Sequence, residues 1–322
     1  MTYPIENYFE QTSPLIFGCM GLGGDWQTKD YGSAEIAQAH QAIDSAVDGG
    51  IKIFDHADIY RMGKSERVFA EVLKQRPELR EQISIQSKCG IRVDDQHGPK
   101  RYDFSPTWIK QSVENILTRL GVEQLDALLL HRPDPLMEPE QVAQVFNQLT
   151  QGGKVKHFGV SNMTASQMTL LQAELDAPLI ANQLELSLSH LTWLEEGITA
   201  GCAGLPVDNY STGIVEYCRL HKVQLQAWGS LSQGIFTGAS TDGQAEHVKQ
   251  TAELVAKLAS EYGTSPEAIV LAWLMRHPAK IQPIIGTVNP TRIAACCQAT
   301  TVELTREHWY AIYVSARGQR LP

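Results

Sequence analysis

The chain has 322 residues, of which 43% are hydrophobic and 20% charged. That is the composition of an ordinary globular protein, and it excludes intrinsic disorder and collagen-like or repetitive architecture. The formal net charge is −9, from 27 Lys+Arg against 36 Asp+Glu, and no basic run announces the positive face that nucleic-acid binding needs.

No apolar stretch approaches the roughly 20 residues that cross a bilayer. The opening MTYPIENYFEQTSP lacks the basic and apolar regions of a signal peptide. The six cysteines (19, 89, 202, 218, 296 and 297) form no C-x-x-C pair and suggest no disulfide framework. Reduced thiols in a cytoplasmic protein are expected, with no nucleic-acid or membrane partner and no obligate protein partner.

Along the chain, short apolar runs alternate with helix-length amphipathic segments. Leu15–Gly18 precedes a helical pattern over Ala34–Val47, and Ile51–His56 precedes one over Ser65–Lys74. Ile83–Lys88 is followed by Pro106–Leu120, Leu125–His131 by Pro139–Thr150, and Val155–Ser161 by Ala165–Leu175. Leu179–Leu184 leads to Thr212–His221, Val223–Trp228 to Glu246–Glu261 and Pro266–Arg276, and Ile281–Ile285 closes the series. Ser105-Pro106, Ser265-Pro266 and Asn289-Pro290 set a capping side chain before a proline at the first helical position, with Glu138-Pro139 a weaker version. Gly121 and Gly152-Gly153 stand where helices stop.

Eight strand–helix units imply parallel strands joined by crossovers, and near-continuous apolar runs such as Leu125–Leu130 suit strands buried on both faces. Length alone suggests two domains. Closed α/β barrels, however, run to about 250 residues and more as one unit. The expectation is an α/β fold, a single (β/α)8 TIM barrel domain over residues 1–322, with a C-terminal helical extension from about Thr305. Two long rim loops, 90–105 and 185–211, fall at the C-terminal face, where barrel chemistry is built.

Strand ends supply the candidate chemistry. The second strand ends in FDHADIY, giving Asp55 and Tyr60, the third in SKCG, giving Lys88, and the fourth in LLLHRPDP, giving His131. A free phenol has a pKa of about 10, and a neighbouring ammonium is expected to lower it. A carboxylate keeps that ammonium charged, and an imidazole can hydrogen-bond a carbonyl oxygen. Together Tyr, Lys, Asp and His make a proton donor for an oxygen, as carbonyl reduction requires. Singly each has an ordinary alternative: a loop-capping acid, a solvent-reaching lysine, a rim aromatic, a buried hydrogen-bonded histidine. His56 and Asp58 have the H-x-D spacing of a metal pair. Strand alternation instead turns His56 towards the helices, as a packed, hydrogen-bonded residue. No metal is expected.

These motifs resemble those of the aldo-keto reductase superfamily, with the nearest look to its bacterial YdhF-like oxidoreductase branch. The resemblance runs from LIFGCMGLGG near the start, through FDHADIY, SKCG, LDALLLHRPDP and GKVKHFGVSN, to PIIGTVNPTRI near the end. His56 stands where threonine is more usual. The resemblance implies a barrel that reduces carbonyls with NADPH, with Tyr60 as general acid, Lys88 and Asp55 tuning it, and His131 orienting the carbonyl. It implies that Ser161, Asn162 and Gln183 hold the nicotinamide carboxamide, and that Trp228 replaces the usual stacking tyrosine. Residues 229–238, including Gly229, Ser230, Leu231 and Gly234, resemble the loop around the pyrophosphate. Gly18-Cys19-Met20 match the stretch under the nicotinamide ribose.

No G-x-G-x-x-G follows a strand, so a Rossmann site is absent. Gly286-Thr287-Val288-Asn289-Pro290 instead leads a helix N-terminus towards any bound phosphate. Arg292 in its first turn suits a 2′-phosphate, the alternative being a solvated surface arginine. Gly286, Ala295 and Cys296 depart from the residues many members carry, which leaves the NADPH preference on Thr287, Asn289 and Arg292. The segment from Leu186 to Ser211, with Trp193, Cys202 and GCAGLPVDNY, is longer than usual and reads as a lid, part of the pocket, or a surface excursion.

Substrate contacts are expected at the rim from Trp26, Arg101 and Tyr102. A rim arginine would suit an anionic substrate, but Arg92, Arg101 and Arg132 equally suit loop anchoring. Cys19 and Cys89 flank site positions, so oxidation there is an expected route to inhibition. The leading reading is NADPH-dependent reduction of a small aldehyde or ketone. The alternatives are a Schiff-base aldolase using Lys88 and a low-turnover, cofactor-binding regulatory module.

Overall fold

The computed structural model describes residues 2–27, 30–199 and 213–322. Eight parallel strands close into a barrel: β1 (Ile16–Gly18), β2 (Ile53–Asp55), β3 (Ser84–Cys89), β4 (Leu125–Leu130), β5 (Val155–Ser161), β6 (Ala181–Glu185), β7 (Gln224–Trp228) and β8 (Gln282–Ile285). Each strand lies beside its sequence neighbours, and β1 closes the ring by pairing with β8 at Ile16–Ile284 while facing β2 at Ile16–Ile53. The period-two alternation sorts the side chains into two layers. Ile16, Ile53, Ala127, Leu129, Ala181 and Ile284 pack inside the barrel. Phe17, Phe54, Ile85, Leu128, Leu130 and Leu225 pack outward under the helices.

The surrounding helices include α1 (Ser33–Asp48), α2 (Lys64–Gln75), α3 (Pro106–Leu120), α4 (Pro139–Gln151), α5 (Ala165–Gln172), α6 (Ile214–His221), α7 (Pro266–Met275) and α8 (Pro290–Cys297). Ser105, Ser265 and Asn289 cap as expected, accepting from the backbone N–H of Trp108, Ala268 and Arg292, whereas Glu138 makes no side-chain cap. The α5 pattern was expected to reach Leu175, but the helix ends at Gln172. Two further helices, Glu246–Tyr262 and Arg306–Arg317, pack together. The C-terminal one is held to α7 by stacked Trp273 and Trp309, whose indole N–H groups each donate to the other's backbone carbonyl at 3.1 and 2.9 Å.

Three features escape the strand–helix pattern. A short 3-10 segment, Pro4–Asn7, puts Ile5 and Phe9 into the bottom of the barrel against Ile53 and Ala127. The first rim loop contains a two-stranded hairpin, Ile91–Arg92 with Arg101–Tyr102. In the second, helix Thr192–Thr199 buries Trp193 against Trp273 and His277. Its Glu195 accepts from Arg317 and Tyr313, which ties this part of the segment to the body. Residues 200–212, with Cys202 and the run GCAGLPVDNY, lie outside the described residues. No helix among the described residues is long and apolar enough to cross a membrane.

Candidate active site

The barrel brings Asp55, Tyr60, Lys88 and His131 to one point. β2 and β3 run side by side with Asp55 opposite Gln86, so the inward-facing Lys88 stands one pleat further on. Its Nζ donates to Asp55 Oδ2 at 2.7 Å, to the His56 carbonyl at 2.9 Å and to Tyr60 Oη at 3.1 Å. The Tyr60 and His131 rings meet edge-on, 6.1 Å between centroids.

Lys88 and Asp55 are almost fully buried, 0% and 2% exposed, where an unpaired charge is very costly. Burial works against the Lys88 charge, but Asp55 and Tyr60 outweigh it and hold the ammonium above the usual lysine range. Beneath the pair, Gln86 and Gln183 both donate to Asp55 Oδ1, at 2.6 and 3.0 Å, and both also reach Gln226 Oε1. This polar layer fixes the carboxylate from below and leaves its other oxygen for Lys88.

The phenol departs from expectation. Lys88 does pull the Tyr60 pKa down, but burial, with Asp55 adding to it, raises it above the ordinary tyrosine value. Without a ligand Tyr60 therefore holds its proton firmly. His131 is pushed well below its usual pKa by burial, then by Lys88, Arg132 and Lys100. It is a neutral imidazole at neutral pH.

Tyr60 is aimed by a turn that no sequence signal marks. Arg61 and Met62 both adopt left-handed conformations, φ 50° and 56°, which non-glycine residues rarely take. Arg61 Nε donates to the Met20 carbonyl at 3.0 Å and its guanidinium covers Trp26. Tyr60 is thereby tied to the loop after β1. Gly90, just past β3, has φ +102°, and a Cβ there would lie 2.3 Å from the Phe104 ring. Only glycine lets the hairpin loop close over the barrel at that point.

At the end of β5, Asn162 is another left-handed residue, φ 59°. Its Nδ2 donates to the His131 carbonyl and to Ser161 Oγ, and its Oδ1 accepts from Trp228 Nε1 at 3.2 Å. Asn162, Ser161, Trp228 and His131 thus form one bonded group, with Gln183 in the layer below.

Other predicted residues hold different posts. Cys19 is wholly buried in the core with its thiol near the Phe17 carbonyl, so only its backbone can meet a cofactor. Met20 is half exposed. Ser230 Oγ donates to the Ile284 carbonyl, locking the start of the β7 loop to β8. Thr287 Oγ1 and Asn289 Oδ1 accept from the N–H groups of Asn289 and Arg292, shaping the turn and capping α8. Gly229 and Gly234 both turn with positive φ, Leu231 packs on the core edge, and the position above Gly286 is open. Arg292 is not simply solvated: it pairs with Glu267 at 3.6 Å. A Cβ on Gly234 would come 3.1 Å from its Nη2, so the β7 loop meets the start of α8 there.

At the rim, Trp26 and Tyr102 are exposed. Arg101 bonds Asp95 at 2.9 Å, and Arg92 pairs with Asp95 and Asp103, so both anchor the hairpin. The expected oxidation-sensitive thiols are overturned. Cys19 and Cys89 are 0% exposed and burial raises both thiols well above the usual range, leaving little thiolate and no access. Five free cysteines are buried among the described residues.

His56 does face the helices, edge-on to Phe69 at 4.6 Å. It is packed but not hydrogen-bonded: neither ring nitrogen has a partner, and burial drops its pKa to about 3. Asp58, of the same motif, has its pKa raised to about 7 by burial and Glu66.

A closed parallel barrel with this set at its C-terminal mouth belongs to the barrel enzymes. The family model for the Aldo/keto reductase family matches residues 14–314. Oxidoreductase YdhF of Escherichia coli is 34% identical, over 93% of this chain and 94% of that protein. The 6-dehydroglucose reductase of Agrobacterium fabrum is 33% identical over 97% and 96%. A Klebsiella pneumoniae aldo-keto reductase crystallised with NADPH superposes with a TM-score of 0.71 at 20% identity, covering 94% of this chain and 90% of that one. The chain belongs to the aldo/keto reductase family and is an oxidoreductase of that family.

Proposed function

We propose that this protein reduces a small aldehyde or ketone to the alcohol with NADPH, Tyr60 giving the proton. The observation that carries the reading is the Tyr60–Lys88–Asp55 chain of short contacts, 3.1 and 2.7 Å, with its charge buried beneath a firmly protonated phenol. When bound, NADPH supplies hydride to the carbonyl carbon.

The chain's own residues do the rest. Tyr60 Oη donates to the carbonyl oxygen as negative charge develops there, and Lys88 stabilises the phenolate left behind. Asp55 keeps Lys88 charged and in place. His131, neutral, has a buried Nδ1 with no partner. A proton on Nε2 leaves that site a bare lone pair rather than an orphaned N–H, and lets Nε2 hold the carbonyl oxygen beside Tyr60.

The residues present fit the cofactor. The Ser161–Asn162–Trp228 group offers an amide-binding corner beside a flat indole face. The β7 loop and the α8 N-terminus converge on Arg292, with open space above Gly286, where phosphate groups would be held. An NADPH complex in the Klebsiella protein and a 6-dehydroglucose reductase among the relatives support the reading. The buried thiols suit a reducing cytoplasm. A Schiff-base aldolase needs a neutral lysine, and Lys88 is held charged.

The test is a panel of aldehydes and ketones followed by NADPH oxidation, with NADH as control. Several carbonyls should consume NADPH faster than NADH. No carbonyl-dependent NADPH oxidation across the panel would overturn the reading.

A further inference from the structure

We propose that Arg132 recognises an anionic group on the substrate, so that carbonyl compounds carrying a carboxylate or phosphate are preferred over neutral ones of the same shape. The proposal deepens the reductase reading above and rests on it.

The rim has several arginines, and their environments differ. Arg92 is held by Asp95 and Asp103 at 2.9 and 3.1 Å and lies over Trp108, and Arg101 is held by Asp95. Arg61 is bound to the Met20 carbonyl. Arg132 follows His131 directly, and among the described residues no carboxylate pairs with its guanidinium. Its contact is the Trp228 ring, 5.5 Å from Cζ to the centroid. A cation–π contact of this kind steadies a guanidinium without spending its N–H donors, which can then bind a carboxylate or phosphate in bidentate fashion.

The platform is rigid and joined to the chemistry. Trp228 Nε1 donates to Asn162, which in turn donates to the His131 carbonyl. Arg132 is thus held by the same bonded group that flanks the reacting oxygen. Two carboxylates of the neighbouring strand end and loop have other partners and make no ion pair with it. Glu185, at the end of β6, lies 3.4 Å from His190, and Asp134 accepts from the N–H groups of Phe104 and Leu136. Lys100, on the hairpin, adds a second positive charge felt at His131. In a chain of net charge −9, Arg132 and Lys100 are local positive charges beside the reacting oxygen, and they favour an anion there.

The test compares two matched pairs with NADPH: para-formylbenzoate against its methyl ester, and glyceraldehyde phosphate against glyceraldehyde. The charged member of at least one pair should show kcat/KM about tenfold to a hundredfold higher, mostly through KM, as a charged hydrogen-bonded contact gives. Which pair responds tells carboxylate from phosphate. The ratio should shrink as salt is raised, collapse towards one in Arg132→Gln, and partly return in Arg132→Lys. Melting temperature checks that both variants fold. A loss of indole packing alone would lower both members of a pair together and leave the ratio intact. A wild-type ratio near one in both pairs, or a ratio unchanged in Arg132→Gln, overturns the proposal while the reductase stands. Turnover of none of the four overturns the reductase reading and the proposal with it.

Discussion

Asp55 serves two demands at once: it neutralises a fully buried lysine and fixes the phenol's neighbour in place. Removing one partner of a buried ion pair costs about 3–5 kcal/mol because the other charge is stranded. Asp55→Asn should therefore lower unfolding free energy by about that amount, measured by urea denaturation, and cut turnover as Lys88 loses its charge or its position. A variant as stable as the wild type would mean that Lys88 is not charged in the folded protein. His56 makes the opposite kind of prediction. Its pKa is about 3 in the fold against 6.5 ordinarily, so the folded state resists its protonation. That contribution is fully present above pH about 6.5 and is lost as pH falls towards 3, at up to about 1.4 kcal/mol per pH unit. Asp58, raised from 3.8 to about 7, acts in the other sense, costing stability as pH rises through that window. His131 is depressed like His56 and adds to its side. His56→Leu should flatten the acid limb of stability against pH, and an unchanged limb would contradict the buried neutral imidazole. At this scale the strand-end residues were legible because chemistry leaves a fixed residue type at a fixed pleat. The Arg61-Met62 turn was not, because a left-handed backbone at non-glycine residues is imposed by surrounding contacts. His56 was half legible: alternation gives its direction, but nothing local says whether a partner awaits it.

Among the elements, alternation and capping revealed all eight strands and most helix starts. Ser105, Ser265 and Asn289 cap where Ser-Pro and Asn-Pro pairs stand because the hydroxyl or amide and the ring each suit adjacent positions of a helix start. What stayed hidden are elements whose stability comes from distant partners. The Ile5 and Phe9 plug has no periodicity of its own, and it is held by the barrel bottom and by Gln224, whose Oε1 accepts from the Ile5 N–H. The hairpin strands are two residues each, too short to carry a pattern. Thr287 and Asn289 were expected to carry the NADPH preference with Arg292; the turn takes their oxygens as acceptors, and neither bond uses the Thr287 O–H or the Asn289 amide N–H that would donate to a phosphate. The C-terminal helix depends on the Trp273–Trp309 clasp. Trp309→Ala should cost about 3–5 kcal/mol, as truncation of a buried tryptophan does, and should release Arg306–Arg317 to faster amide exchange than the barrel strands. Equal exchange in both would place the anchor of that helix elsewhere.

Over the whole molecule, the barrel carries a net charge of −9, and three of its positive groups serve the site. Lys88 lies under the site, Arg292 at the β7–α8 junction, and Arg132 at the mouth. The expectation of one domain over residues 1–322 predicts a single cooperative unfolding transition by circular dichroism and tryptophan fluorescence alike. Two separated transitions would contradict it. The central claim is that Tyr60 delivers the proton. The most direct test is Tyr60→Phe, which keeps the ring and removes only the hydroxyl, studied in single-turnover stopped flow with a carbonyl the wild type accepts and with NADPH affinity measured by fluorescence titration. The expected result is NADPH oxidation slowed about a hundredfold to ten-thousandfold, the usual worth of a positioned acid, with cofactor binding preserved. Oxidation at near wild-type rate in that variant would contradict the role given to Tyr60.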